Sequence, residues 1–196
     1  MALKLIPANL RKKFTIEERE HAASILRYDF PNEWKDIIDL LDHFWLTKTL
    51  ITAKGKNKSG ISIAIDKFLA DRGWAERGFD TKIVVDKVET PSPTHKIDNF
   101  RNCIGVEVEW NNKDPFYDRD LNNFRLLRQL RVLSVGIIIT RMTELQKVFR
   151  EAGQKTAKGA ATTHWDKLIP KVDGGGAGGC PLLLIGMGLA CYREDL

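Results

Sequence analysis

Two short stretches carry residue types that could do chemistry: Ile97-Asp98 and Gly105-Val106-Glu107-Val108-Glu109-Trp110. Glu107 and Glu109 stand one residue apart in an apolar run, and alternate side chains of an extended strand share a face. Both carboxylates then project together, while Val106, Val108 and Trp110 project the other way. Asp98 lies far enough before Glu107 for a turn and a return into an adjacent strand. Three carboxylates aimed at one spot repel each other, and burying them is costly unless a cation or proton compensates. Hard oxygen ligands suit Mg²⁺ or Mn²⁺. The chemistry expected is that of a metal-dependent phosphodiesterase. The competing reading is an ordinary half-exposed strand with its glutamates on the solvated face.

The elements that must position these residues belong to a chain of 196 residues, long enough for one domain with a substantial core. No run approaches the ~18 apolar residues of a membrane span. The N-terminal residues lack an apolar stretch with a small-residue cleavage site, so a cytoplasmic protein is expected. Net charge is +5 and the pI is near 9.1, which fits a polyanionic partner. Between Asp42 and Asp66 no acidic residue occurs, yet Lys48, Lys54, Lys56 and Lys58 do. Cys103, Cys180 and Cys191 form no Cys-x-x-Cys spacing, which argues against zinc and a disulfide framework; Cys103 and Cys180 read as small core residues.

Along the chain, residues 1–30 read as a helical arm, with Thr15 and Glu18 as a capping box. Asn32 is expected to cap a second helix, whose Trp34, Ile37, Ile38, Leu41, Phe44 and Trp45 recur at helical spacing, with Lys35, Asp36, Asp39 and Asp42 opposite. Thr47–Gly60 reads as a loop and Ile61–Arg72 as a third helix. Thr81–Val85 reads as a strand and Thr90–Thr94 as a loop. After the acidic strand, Leu121, Phe124, Leu127 and Leu130 mark a helix, Val132–Thr140 a doubly buried strand, Met142–Ala152 a short helix and Pro181–Gly188 a last strand. Residues 153–180 read as a Gly-rich loop region, flexible at Gly174–Gly179. The sum is a single α/β domain spanning 1–196, with a central mixed sheet between helices.

The pattern Ile97-Asp98-x8-Glu107-Val108-Glu109-Trp110, followed by a helix and Gly136-Ile-Ile-Ile139, resembles type II restriction endonucleases of the BamHI, BglII and BstYI group. Phe68-x3-Arg72-Gly73-Trp74-x-Glu76-Arg77 and the run from Gly136 to Lys147 are most similar to BstYI, and the terminal Pro181-Leu-Leu-Leu-Ile-Gly186 resembles the late strand of the group. The resemblance spans about Trp34 to Met187 and implies the PD-(D/E)xK restriction-endonuclease-like α/β/α sandwich. It further implies a homodimer, Mg²⁺ dependence, a prokaryotic setting and hydrolysis of both DNA strands at a palindrome built around GATC, leaving 5′ overhangs. In this group the third catalytic position is Glu or Gln rather than Lys. Here it is Glu109, as in the BamHI type, where the BstYI and BglII types carry Gln. A separate cognate DNA methyltransferase would protect the cell's own sites.

On that reading Asp98 and Glu107 hold the Mg²⁺ and the Val108 carbonyl completes its shell. Glu109 accepts a proton from the attacking water or positions it. Glu76 is a further candidate ligand, or a surface charge. Asn111, Asn112 and Lys113 read as base contacts, or as a plain turn. Lys54, Lys56 and Lys58 lie along the phosphate backbone, or form a solvated turn. Arg119 and Arg125 reach DNA or a dimer interface. A second base-reading loop is expected between Lys155 and Gly179, with Lys158, Thr162, Thr163, His164 and Lys171 available. A repair or phage nuclease on the same fold, and a DNA-binding module without catalysis, are the alternatives.

Overall fold

The computed structural model describes residues 2–53, 58–91, 94–110, 112–151 and 162–195. In chain order its elements are α1 (Ala8–Lys13), β1 (Phe14–Arg19), α2 (Ala22–Asp29), α3 (Pro31–His43), α4 (Lys48–Thr52) and α5 (Gly60–Ala70). There follow β2 (Ala75–Arg77), β3 (Lys82–Val85), β4 (Val88–Pro91), β5 (Ile97–Arg101), β6 (Ile104–Glu109), α6 (Pro115–Gln129), β7 (Val135–Arg141), α7 (Leu145–Glu151), α8 (Trp165–Asp173) and β8 (Leu182–Met187). Among the described residues no helix is long and apolar enough to cross a membrane.

Six strands form one mixed sheet in the order β1-β8-β7-β6-β5-β2. The central β6, β7 and β8 run parallel, and the outer pairings are antiparallel. Residues of β7 and β8 are buried on both faces, as unbroken apolar runs require. On one face Val106, Val108, Ile137, Ile139, Leu183 and Ile185 pack with α2, α3, α5 and α7. On the other, Ile138, Leu182 and Leu184 pack with Tyr117, Leu121, Phe124 and Leu127 of α6 and with Trp165, Leu168 and Val172 of α8. This is the α/β sandwich expected.

Several local expectations are corrected. The stretch 1–30 is not wholly helical, because Phe14–Arg19 pairs along β8 as the edge strand β1. Glu18 does satisfy a helix N-terminus, but that of α2: its carboxylate accepts from the Ala23 N–H at 3.0 Å. Asn32 lies inside α3, whose first residue is Pro31, suited to that position by its fixed φ and missing N–H. Asp36 is not on a solvated face. It accepts from Trp74 Nε1 at 2.9 Å and from Arg101 at 2.8 Å, and Glu33 pairs with the same arginine at 3.2 Å, tying α3 to β5.

Residues 165–173 within the supposed Gly-rich loop form α8, despite the internal Pro170. Gly174–Gly179 closes it in hydrogen-bonded turns, with Gly174 N donating to Pro170 O and Gly176 N to Lys171 O. Lys48–Thr52 is a short helix capped by Thr47 rather than loop. Thr90 and Pro91 belong to β4, which with β3 forms a separate hairpin whose Ile83, Val84, Val85 and Val88 are exposed. Cys103 is half-buried in a turn, whereas Cys180 and Cys191 are buried, and all three are free.

One close approach sets the position of α6. A Cβ placed on Gly136 of β7 would stand 2.5 Å from Phe124 Cδ2 and 3.0 Å from Leu182 Cδ2. Only a bare backbone lets the Phe124 ring lie on the sheet. Gly136→Ala is expected to overpack this contact and cost about 1–3 kcal/mol, read as a lowered urea midpoint at unchanged denaturant slope.

Candidate active site

The acidic residues are brought together by a tight hairpin. Asn102 and Cys103 both take positive φ, 43° and 66°, the backbone of a two-residue loop whose twist matches the flanking strands. The resulting register pairs Asn99 with Val106 and ends there. Asp98 therefore sits where β5 and β6 part. Its N–H donates to Glu107 Oε2 at 3.3 Å, and its Oδ2 lies 3.5 Å from the Val108 N–H. Backbone N–H and C=O of a strand residue leave on the same edge, so the Val108 carbonyl points to the gap that Asp98 occupies.

Glu107 and Glu109 share the face turned to α6, and Val106, Val108 and Trp110 pack into the opposite core. The alternation is the one read from sequence, but neither glutamate is on a solvated face: each is 1% exposed. With Phe124 seated on Gly136, the residue one turn earlier, Asp120, comes over the strand, wholly buried beside Glu109. Tyr117, a further turn back, meets Thr140 through its hydroxyl at 2.6 Å, and Thr140 Oγ1 donates to Glu109 O at 2.9 Å.

Three carboxyls thus meet in a low-dielectric place. Burial, then the charges of Asp120 and Asp98, holds the Glu107 carboxyl well above its ordinary range. Among the described residues its buried Oε1 has no hydrogen-bond partner. Burial and then Asp120 push Glu109 up to about 9, against a bond from Asn112 Nδ2 at 2.9 Å and the guanidinium of Arg119 at 3.5 Å. Burial also raises Asp120, opposed by its bond with Glu109 and by Arg119. Arg119 holds Asp120 Oδ1 at 2.8 Å and lies over the Phe116 ring.

On the other side of Asp98 stands Lys58. Its ammonium is 3.2 Å from Asp98 Oδ1 and 2.8 Å from Asp66 Oδ2. Burial opposes that charge, yet the bonds to Asp66 and Asp98 outweigh it and hold the ammonium above its ordinary value. Lys58, His95, Asp98, Val108, Glu109, Asn112 and Arg119 line one cleft of about 170 Å³. A larger cleft of about 450 Å³, lined by Lys48, Val148, Glu151, Tyr192, Glu194 and Asp195, shares none of these residues and carries no comparable constellation.

The remaining candidates fall as follows. Lys113 is exposed and bridges to Thr162. Asn112 is committed to Glu109 through its amide and to Thr163 through its backbone. Glu76 lies on the edge strand β2, paired with Lys96 at 2.9 Å, outside the lining of the cleft. Thr163 and His164 are buried, and Lys171 pairs with Asp118 at 2.6 Å. Arg125 donates to Asn122 at 2.7 Å on the exposed side of α6. Lys54, Lys56, Asn111 and Lys158 lie outside the described residues.

Asp120 and Asp66 were not singled out from sequence. Asp120 had a signal, since it interrupts the apolar stripe Tyr117, Leu121, Phe124 of the helix that follows the acidic strand. Asp66 had none beyond helical spacing.

Whether a divalent cation fits can be judged from the donors. Among the described residues no group of three acidic, histidine or cysteine side chains converges as a ready metal cluster. Two carboxylates do approach each other: Asp98, part-exposed to the cleft, and Glu107, with an orphaned buried oxygen. The edge of Val108 lies between them. An oxygen-only set short of charge compensation fits a hard cation.

The protonation of Glu109 sets a pH dependence. A carboxyl that titrates near 4.5 unfolded and about 9 folded binds its proton more tightly when folded. Its stabilising contribution is full below pH about 4.5 and is lost as pH rises toward 9. In EDTA, urea unfolding of the wild type should therefore weaken across this window. Glu109→Gln should flatten the decline, and an identical slope in both proteins contradicts the assignment.

The sequence profile described as "Restriction endonuclease BglII/BglIII" matches residues 14–187, from β1 to the end of β8 and across the whole acidic site. No curated protein matches the chain. The extent of the profile match decides the matter: this chain belongs to the BglII/BglIII family of restriction endonucleases.

Proposed function

We propose that this protein is a Mg²⁺-dependent type II site-specific deoxyribonuclease, which cuts both strands of a palindromic duplex as a homodimer. The observation that carries the reading is the burial of Glu107 and Glu109, with Asp98 at the mouth of the same gap. A solvated strand face would need no cation, and a DNA-binding module without catalysis would have no reason to bury these carboxyls. Family membership supports the nuclease class. The GATC-containing site, 5′ overhangs, cytoplasmic setting and separate methyltransferase rest on the resemblance to the BamHI, BglII and BstYI group.

A divalent cation supplies Lewis acidity toward the scissile phosphate and lowers the pKa of a water. Asp98, Glu107 and the Val108 carbonyl would hold it. Glu109 accepts or orients the proton of the attacking water once ionised, a state that nearby positive charge favours. Asn112 fixes the Glu109 carboxyl by its amide N–H, so its first role is positioning rather than base reading. Arg119, oriented by Asp120 and Phe116, presents positive charge at the cleft wall. Lys113, exposed beside Asn112, is the base or phosphate contact at the end of the catalytic strand. Lys54, Lys56 and Asn111 are assigned to DNA contact from sequence alone.

The test is digestion of a long, sequenced, unmethylated DNA in Mg²⁺ with an EDTA control. Discrete fragments are expected, and sequencing their ends gives site and overhang; a smear would indicate a nuclease without a palindromic site. Asp98→Asn and Glu107→Gln should each lower cleavage by about 10³-fold or more while keeping specific binding in a mobility-shift assay. Full activity in either variant overturns the metal assignment.

A further inference from the structure

Asp98 gives its two oxygens to different neighbours. Oδ2 faces the Val108 N–H at 3.5 Å, on the Glu107 side. Oδ1 lies 3.2 Å from the Lys58 ammonium, which also holds Asp66 Oδ2 at 2.8 Å. Neither partner is loosely placed. Asp66 is fixed by Asn99 Nδ2, 2.8 Å from its other oxygen, and Asn99 is 2% exposed. Lys58 precedes Ser59, whose hydroxyl caps α5 by accepting from the Ser62 N–H at 3.0 Å, so its backbone is anchored to the helix that carries Asp66. The Lys58 side chain remains 43% exposed and lines the cleft beside Asp98.

Phosphodiester hydrolysis needs the attacking water ionised and builds negative charge on the leaving oxygen. Sites with two metal ions about 3.5–4 Å apart clamp both. A second ion would need one shared carboxylate and one of its own, and Asp98 with Asp66 is such a pair. In this chain a side-chain cation already stands between them. Of its three N–H donors, two are taken by Asp66 and Asp98, which leaves one for a phosphate oxygen. β6 itself, Ile104–Glu109, carries no lysine and so supplies no competing ammonium.

We propose that Lys58 is the second cation of the active site. Its ammonium, seated between Asp98 and Asp66, takes the place of a second metal, and the centre binds one divalent ion, on the Glu107 side of Asp98. The assignment rests on the nuclease reading above and adds Asp66 as the residue that positions the lysine.

The test counts metal first, without reference to cleavage. Mn²⁺ bound per chain is measured by paramagnetic resonance and calorimetry on the full-length protein. The wild type and Lys58→Arg should bind one ion, Lys58→Met two, and Lys58→Met/Asp66→Asn one again. Thermal melting verifies folding, and Lys58→Gln repeats the measurement if the methionine variant does not fold. Single-turnover cleavage gives a second readout. The wild-type rate should follow the first power of Mg²⁺ concentration below saturation. Lys58→Met should be slowed about 10²-fold at low Mg²⁺ and recover with the second power. Two ions in the wild type, or one ion and first-power behaviour in Lys58→Met, overturns this proposal and leaves the nuclease reading intact. No wild-type binding, or binding unaffected by Asp98→Asn, overturns both.

Discussion

A carboxylate moved out of water loses several kcal/mol of hydration unless a proton or an opposite charge accompanies it. Glu107, Glu109 and Asp120 all lie in that condition, at 1%, 1% and 0% exposure, between β6 and α6. A raised affinity for protons answers part of the demand, and Arg119 and Asn112 answer more of it at the Glu109 end. Glu107 is the residue left short, with a buried oxygen that no described group satisfies. Core positions filled this way lower the stability of the fold, and the natural reading is that the site is built for a ligand that brings positive charge.

The rest of the architecture serves to hold that arrangement against its own repulsion. The parallel pairing of β6 with β7, and of β7 with β8, fixes the glutamates beside strands that are buried on both faces. Gly136 admits Phe124, and so places α6, and with it Asp120 and Arg119, over the acidic end of β6. The two-residue turn at Asn102-Cys103 returns the chain so that Asp98 arrives at the edge of Val108. The buried Glu33 and half-buried Asp36 of α3 grip Arg101 and keep the end of β5 in place. Lys58, entering from the start of α5, balances the outer side of Asp98. The like charges come from β5, β6 and α6, so no single local sequence preference has to favour their meeting.

This distribution also explains what sequence could and could not disclose. The central strands and the site on β6 were legible because period-two alternation and unbroken apolar runs are local patterns with one structural meaning. The β5–β6 return was legible from spacing alone. The edge strand β1 was not, because Thr15-x-x-Glu18 satisfies a capping rule, and only pairing with β8 decides otherwise. The helix at Trp165–Asp173 was hidden by Pro170 and the glycines after it, although Trp165, Leu168 and Val172 carry its apolar stripe. Asp66 and the pairing of Lys58 with Asp98 depend on how α5 packs against β5, a tertiary fact with no sequence signature. Asp120 could have been found by asking why an acid interrupts an apolar helix face.

The central claim is that the part-exposed carboxyl of Asp98 and the buried carboxyl of Glu107 form a place for one divalent cation. The most direct measurement is the melting temperature at pH 7.5 in EDTA and in rising Ca²⁺ or Mg²⁺, without DNA. A ligand that binds only the folded state raises it in proportion to the logarithm of its concentration above the dissociation constant. The account predicts a concentration-dependent rise in the wild type that is abolished in Asp98→Asn and Glu107→Gln. A wild-type melting temperature indifferent to divalent ions, or a rise preserved in both variants, would contradict it.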